Sequence, residues 1–190
     1  PEQYWDTLSR FGFGQSTDSG YPGESSGSLN SFNTWSEIEM ATLSFGYGLS
    51  VTPLQLVHAY SVLATGGIML PVSFVKVNGS VMGKRVMPED ITRQVTKMLE
   101  TVVSANGTGK RAAIKGYRVI GKTGTVHKSI RGGYSDDRYL SIFAGIAPAS
   151  EPRFAMVVLI DEPSGDEHYG GVVAAPVFSK VMEGTLRILN

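Results

Sequence analysis

The 190 residues are 42% apolar and 18% charged, an ordinary balance for a globular chain with a core of its own. Lys plus Arg and Asp plus Glu both number 17, so no net field favours nucleic acid or an anionic membrane as a partner. Cysteine is absent, which excludes disulfides and thiolate metal sites and leaves the redox compartment open.

Tyr4, Leu8 and Phe11 recur at helical spacing ahead of Gly12 and Gly14, which predicts a helix ending over 4–11 and begun upstream. Residues 14–36 are rich in Gly, Ser, Asn and Pro without period and predict a long irregular loop. Thr52-Pro53 supplies a cap and a first-turn proline for a helix through Ala64, apolar nearly all round, ended by Gly66-Gly67 and expected in the core. His58 on that helix is expected to make a buried hydrogen bond. A short strand is predicted near 71–77. A second helix from Pro88 should bury the stripe Ile91, Val95, Met98, Leu99 and Val102 opposite Glu89, Arg93 and Lys97.

Three strands follow, roughly 117–128, 139–147 and 153–161, with turns at Gly132-Gly133 and Ala147-Pro148. The last is an uninterrupted apolar run, which suits the middle of a sheet covered on both faces. Asp136-Asp137-Arg138 reads as a solvated hairpin tip and Asp161-Glu162 as a solvated turn start. A final helix from near Ala174 should turn Phe178, Val181, Met182, Thr185 and Leu189 to one side. No apolar run approaches the length of a membrane span.

Lys122-Thr123-Gly124-Thr125 carries two chemistries. Residues 116–123 fit the phosphate-loop pattern G-x-x-x-x-G-K-[ST], and 156–162 imitate an apolar strand ending in an acid. A phosphate loop, however, needs a helix opening at Lys-Thr to aim its N–H groups at the phosphates. Tyr117, Arg118, Val119 and Ile120 are large and strand-favouring, and residues 124–133 carry glycine helix breakers and no helical period. The sequence between strands is also too short for parallel crossovers, so antiparallel hairpins are expected. The other reading is the Lys-Thr-Gly strand of the penicillin-recognising serine enzymes.

The order of landmarks resembles the transpeptidase domain of class B penicillin-binding proteins, most like the division-specific, FtsI-type D,D-transpeptidases. The residues that carry it are Ser44-Phe45-Gly46-Tyr47-Gly48-Leu49-Ser50-Val51-Thr52-Pro53-Leu54-Gln55-Leu56, Gly107-Thr108-Gly109, Gly121 to Thr125, Phe143 to Pro148, and Tyr169-Gly170-Gly171 leading into Ala175-Pro176-Val177-Phe178. The resemblance covers essentially the whole chain. It implies the penicillin-recognising fold, an α/β domain of the α+β type with an antiparallel sheet flanked by helices. It implies a serine acyl transferase that attacks a D-Ala-D-Ala bond of a peptidoglycan stem peptide, passes the acyl group to a neighbouring amine, and is stalled by β-lactams.

Within that resemblance Lys122 is expected to place positive charge near the nucleophile and the substrate carboxylate, Thr123 and Thr125 to offer hydroxyls to that carboxylate, and Gly124 to let the substrate lie against the strand. The N–H of Thr125 is implied as one oxyanion donor. Tyr169 resembles an aromatic wall beside the ligand. His127 reads either as a pocket-lining residue or as an exposed strand-end histidine. No cofactor is implied, and the three histidines lack metal-ligand spacing.

The nucleophile element, Ser-x-x-Lys, and the middle Ser-x-Asn element should precede Lys122. Ser73-Phe74-Val75-Lys76, Ser28-Leu29-Asn30 and Ser31-Phe32-Asn33 match as strings but not in order or setting. A nucleophile must open a helix so that its lysine shares its face, whereas Ser73 follows Pro71 in a β-favouring stretch. Residues 1–190 are therefore expected to be the C-terminal part of one transpeptidase domain, inactive alone, with the serine in an upstream part that completes the site. The expected partners are that upstream part, stem peptide, β-lactams and divisome membrane proteins. The expected location is the periplasmic face of the bacterial inner membrane, with the anchor outside this chain. A carboxypeptidase, a β-lactamase and a non-catalytic β-lactam sensor share the fold and stand as alternatives.

Overall fold

The capping signal at Thr52-Pro53 is realised in the computed structural model, which describes residues 1–189. Thr52 Oγ1 accepts the Gln55 N–H, the Gln55 side chain accepts the Thr52 N–H, and the helix α3 runs Pro53–Ala64. Gln55 is 1% exposed, and its amide also donates to the carbonyls of Gln15 and Ser26 at 2.7 and 2.8 Å. One buried side chain thus pins the irregular 14–36 segment to the body of the fold. Before it lies α1 (Glu2–Arg10), where a helix was expected.

A helix the sequence reading did not anticipate, α2 (Glu37–Leu43), follows that segment, opened by a reciprocal Ser36/Glu39 capping box. The expected strand at 71–77 does not form. Two-residue strands β1 (Ile68–Met69) and β2 (Lys84–Arg85) flank it instead, and 71–83 is irregular. Pro71 lacks a ladder donor, Gly79 has φ +95°, and Phe74, Val75 and Val77 are exposed, so β propensity has no partner to act on.

The helix α4 spans Glu89–Val102, but its buried face is rotated from the expected stripe. Thr92 is buried while Ile91 and Met98 are 40% and 64% exposed. Thr92 Oγ1 bonds the Pro88 carbonyl at 2.9 Å and packs beside Gly67, where a Cβ would have no room.

The strands β3 (Ile120–Ile130), β4 (Gly133–Ala147) and β5 (Phe154–Asp161) form one antiparallel sheet in that order, as the hairpin argument expected. Two details differ. Among the described residues β4 is the central strand and β5 an edge, although β5 is covered on both faces by helices, which accounts for its unbroken apolar run. The hairpin tip lies at Arg131-Gly132. Asp136-Asp137-Arg138 sits within β4, in a bulge where the register jumps from His127↔Tyr139 to Ser129↔Tyr134. Asp161 and Glu162 are exposed but not merely solvated, for both bind Lys128 Nζ, at 2.8 and 2.6 Å.

Strand alternation sorts the two faces. Phe143 and Ser141 face the last helices, α5 (Gly170–Val173) and α6 (Ala175–Leu189), where Phe143 and Phe178 meet edge-on at 4.8 Å. The buried stripe of α6 is Ala175, Phe178, Met182 and Leu186; Val181 and Leu189, expected inside, are 51% and 53% exposed. Leu140, Ile142, Val157 and Leu159 face the other way, toward α3, and line a groove of about 500 Å³ with Leu56 and Tyr47.

Candidate active site

Lys122 to Thr125 lie in mid-strand on β3, so no helix opens at Thr123 and the phosphate-loop geometry is absent. Which way the strand aims its backbone follows from one hydrogen bond. The His127 N–H donates to Tyr47 Oη at 2.9 Å, away from β4. Residues of an antiparallel strand present both backbone groups alternately to one edge and the other. Thr125 and Thr123, two and four positions earlier with unbroken register, therefore present theirs on the Tyr47 side. Among the described residues no strand pairs with β3 there. Lys122 Nζ donates to the Thr123 carbonyl at 2.9 Å, on that same edge. Lys122 is exposed and, among the described residues, has no carboxylate within ion-pair distance, whereas Lys128 is held by Asp161 and Glu162, whose hydrogen bonds raise its pKa.

The side chains of Thr123 and Thr125 share the face of Phe143 and Ser141. Thr123 Oγ1 lies 3.1 Å from Thr108 Oγ1, and Thr125 Oγ1 accepts the Gly170 N–H at 3.0 Å. Thr125 Oγ1, which accepts that bond, still has its own proton to give, and in the Thr108–Thr123 pair either hydroxyl can be the donor. Gly170 and Gly171 make this proximity possible: a Cβ on the first would run into the carbonyls of Ile142 and Gly124, and on the second into that of Thr108. Gly124 differs. A Cβ there would meet Ile142 Cβ at 3.4 Å, an ordinary contact, so packing within the chain does not demand its bareness.

His127 is neither free nor fully exposed. Its Nδ1 lies 2.6 Å from the Ser135 carbonyl, which can only accept, so the proton sits on Nδ1. Its ring packs on Tyr139 at 4.6 Å, Tyr139 stacks on His168 at 3.8 Å, and His168 meets Tyr169 at 4.5 Å. Tyr169 itself is 57% exposed beside Gly170. An aromatic row thus runs along the Thr123/Thr125 face. His58, on the far side, bonds the Leu70 carbonyl at 2.7 Å, but the bond is exposed where a buried one was expected, because the ring is only half-covered.

Ser73 is the sole serine followed three positions on by lysine. It lies in irregular chain with its hydroxyl on the Val75 carbonyl at 2.8 Å, remote in kind from a helix-borne nucleophile. Ser28 pairs with Ser50 in an isolated bridge, and Ser31 precedes the short turn Phe32–Thr34. Among the described residues no group of three or more His, Asp or Glu is placed to hold a metal ion.

The sequence reading assigned no role to the side chains of Tyr47, Thr108, Tyr139, Ser141 and His168, all of which support this edge. Tyr47 and Thr108 lie in glycine-rich segments that carried the resemblance. Ser141 is a lone hydroxyl inside an apolar strand, a signal of a buried hydrogen bond.

Comparison with known proteins agrees with this arrangement. The family model described as the penicillin binding protein transpeptidase domain matches residues 1–183. The peptidoglycan D,D-transpeptidase FtsI of Escherichia coli strain K12 is 50% identical over 185 residues, 97% of this chain and 32% of that protein. FtsI of Buchnera aphidicola subsp. Schizaphis graminum is 46% identical over 178 residues, 94% of this chain and 31% of that protein. The apo TP domain of penicillin-binding protein 3 from Burkholderia pseudomallei superposes with a TM-score of 0.94 at 43% identity, covering 100% of this chain and 58% of that one. The chain spans about a third of the length of these two FtsI relatives.

Proposed function

The chain belongs to the penicillin-binding protein transpeptidase family, and from that premise we propose that it supplies the substrate-binding strand of a serine peptidoglycan D,D-transpeptidase. The observation that carries this is the direction of the Thr125 N–H, aimed at the edge of β3 that no strand pairs with among the described residues, beside a Lys122 ammonium that bonds only the Thr123 carbonyl there and has no carboxylate partner among them.

A stem peptide ending in D-Ala-D-Ala lies along that edge. Its terminal carboxylate is received by Lys122 and the hydroxyls of Thr123 and Thr125, and Gly124 leaves space for its backbone. The serine hydroxyl attacks the penultimate carbonyl, and the developing oxyanion accepts the Thr125 N–H, a kind of contact worth about 10²–10³ in rate. Terminal D-Ala leaves with a proton, and the amine of a second stem resolves the ester into a crosslink. A β-lactam enters through the same contacts and remains as a stable ester. Tyr169 borders the ligand, and His127 supports that border through Tyr139.

The nucleophile comes from outside these residues, in an upstream part of the same domain. The edge of β5, which no strand pairs with among the described residues, and the apolar groove beside Leu56, Ile142 and Leu159 support a surface waiting for that part. The likeness to FtsI proteins supports a septal role, a periplasmic site of action at the inner membrane, and divisome membrane proteins as partners of the intact protein. Among the described residues no helix is long and apolar enough to cross a membrane.

The test is to give the intact protein a D-Ala-D-Ala stem-peptide donor and an amine acceptor and to analyse products by mass spectrometry. A crosslinked product supports transpeptidation. Hydrolysed donor alone indicates a carboxypeptidase, and β-lactam binding without turnover a sensor.

A further inference from the structure

Thr125 and Ser141 are direct partners in the β3–β4 ladder, and their hydroxyls grip one short segment from the same face. Ser141 Oγ, fully buried, donates to the carbonyl of His168, while Thr125 Oγ1 accepts the N–H of Gly170 at 3.0 Å. The tripeptide His168-Tyr169-Gly170 is thereby held at both ends by a cross-strand pair. Stacking of His168 on Tyr139 at 3.8 Å holds it sideways, and the absence of a Cβ at Gly170 brings its N–H within reach.

We propose that Ser141 is a positioning residue: by fixing His168 and so Gly170, its hydroxyl orients the Thr125 hydroxyl to donate to the substrate carboxylate. A threonine hydroxyl has one proton and rotates freely when unbound. With a lone pair committed to Gly170 N–H, the Thr125 proton is turned away from that bond, and the bound oxygen is a more polarised donor. Ser141 never touches the ligand, and its effect passes through the peptide segment. This rests on Thr125 acting as a carboxylate-binding residue in the reading above.

The experiment uses the intact protein and two probes, a penicillin and its carboxamide analogue, in which the free carboxylate is replaced. Ser141→Ala should slow acylation by the penicillin about five- to tenfold, less than the full worth of one hydrogen bond to a charged group because the Thr125 hydroxyl is misdirected and not removed, and by the carboxamide no more than about twofold. In a Thr125→Val background Ser141→Ala should add no further loss, because the hydroxyl it acts through is gone. Equal slowing of both probes, or losses that multiply in the double variant, would overturn the proposal and leave Ser141 a packing residue. Should Ser141→Ala fail to fold, Ser141→Cys keeps the volume with a weaker donor and carries the same comparison: loss confined to the penicillin supports the proposal, and equal loss overturns it. A native protein acylated by neither probe fails at the earlier step, overturning the transpeptidase reading and this inference with it.

Discussion

Tyr47 and His127 are eighty positions apart in sequence, yet the phenol oxygen of one accepts the backbone N–H of the other at 2.9 Å. The bond ties the glycine-rich loop before α3 to the end of β3. Tyr47→Phe removes only the oxygen, and the ring keeps its edge-on contact with Tyr134 at 4.8 Å. The expected cost is about 1 kcal/mol in denaturant unfolding, with faster hydrogen exchange at the His127 amide. Unchanged exchange there would mean that the edge is held some other way.

Gly124 and Gly170 separate function from fold. Gly124→Ala should change stability by no more than about 1 kcal/mol, because the added methyl meets Ile142 at ordinary contact distance. In the intact protein it should nevertheless slow acylation by more than about tenfold, since the methyl occupies space assigned to the substrate backbone. Gly170→Ala drives a Cβ into the Ile142 and Gly124 carbonyls and should cost about 1–3 kcal/mol. Paired unfolding and acylation measurements check both, and wild-type acylation by Gly124→Ala would remove that glycine from the site.

Glu100 accepts two hydrogen bonds from the Arg118 guanidinium, at 2.6 and 2.7 Å. The side-chain bonds from Arg118 hold its pKa below the ordinary value against a smaller opposing effect of desolvation. A folded-state pKa below the unfolded one adds stability that is full above the unfolded value and lost as pH falls through the folded one. Both side chains are partly solvated, so the loss should be no more than about 1 kcal/mol. NMR titration should give Glu100 a midpoint below the usual glutamate range, moving up in Arg118→Gln. A midpoint indifferent to that substitution would contradict the pairing.

The core beneath the site rests on Phe143 against Phe178, both with no exposed surface. Phe178→Ala should cost about 3–5 kcal/mol, transfer and cavity together. Because Phe143 lies opposite Thr123 in the ladder, the same variant should also disturb the site edge. Thermal unfolding and the β3 amide spectrum measure the two effects, and a loss below about 1 kcal/mol would mean that the core closes around the gap.

Much of this was legible locally. Thr52-Pro53 announced α3 because a cap and a first-turn proline act within a few residues. Ser36-x-x-Glu39 carried the same signal for α2 and was missed amid Ser- and Asn-rich neighbours. The apolar faces of α4 and α6 came out rotated, since Ile91, Met98, Val181 and Leu189 look as buriable as Thr92 and Leu186 until their neighbours are known. Residues 71–77 looked like a strand but found no partner, and strand formation depends on partners. At the site, Lys122 to Thr125 stood out as a motif. Their supports at Tyr47, Thr108, Ser141 and Gly170 depend on cross-strand register and long-range approach, which no local pattern encodes.

In the proposed function these residues recognise the acyl donor while the nucleophile lies elsewhere in the intact protein. The direct measurement is labelling with a fluorescent penicillin, applied to the 190-residue chain alone and to the intact protein, with the labelled peptide mapped by mass spectrometry. The expected result is label only on the intact protein, on a serine outside residues 1–190. Label on a serine of this chain, or an intact protein that never takes label, would contradict it.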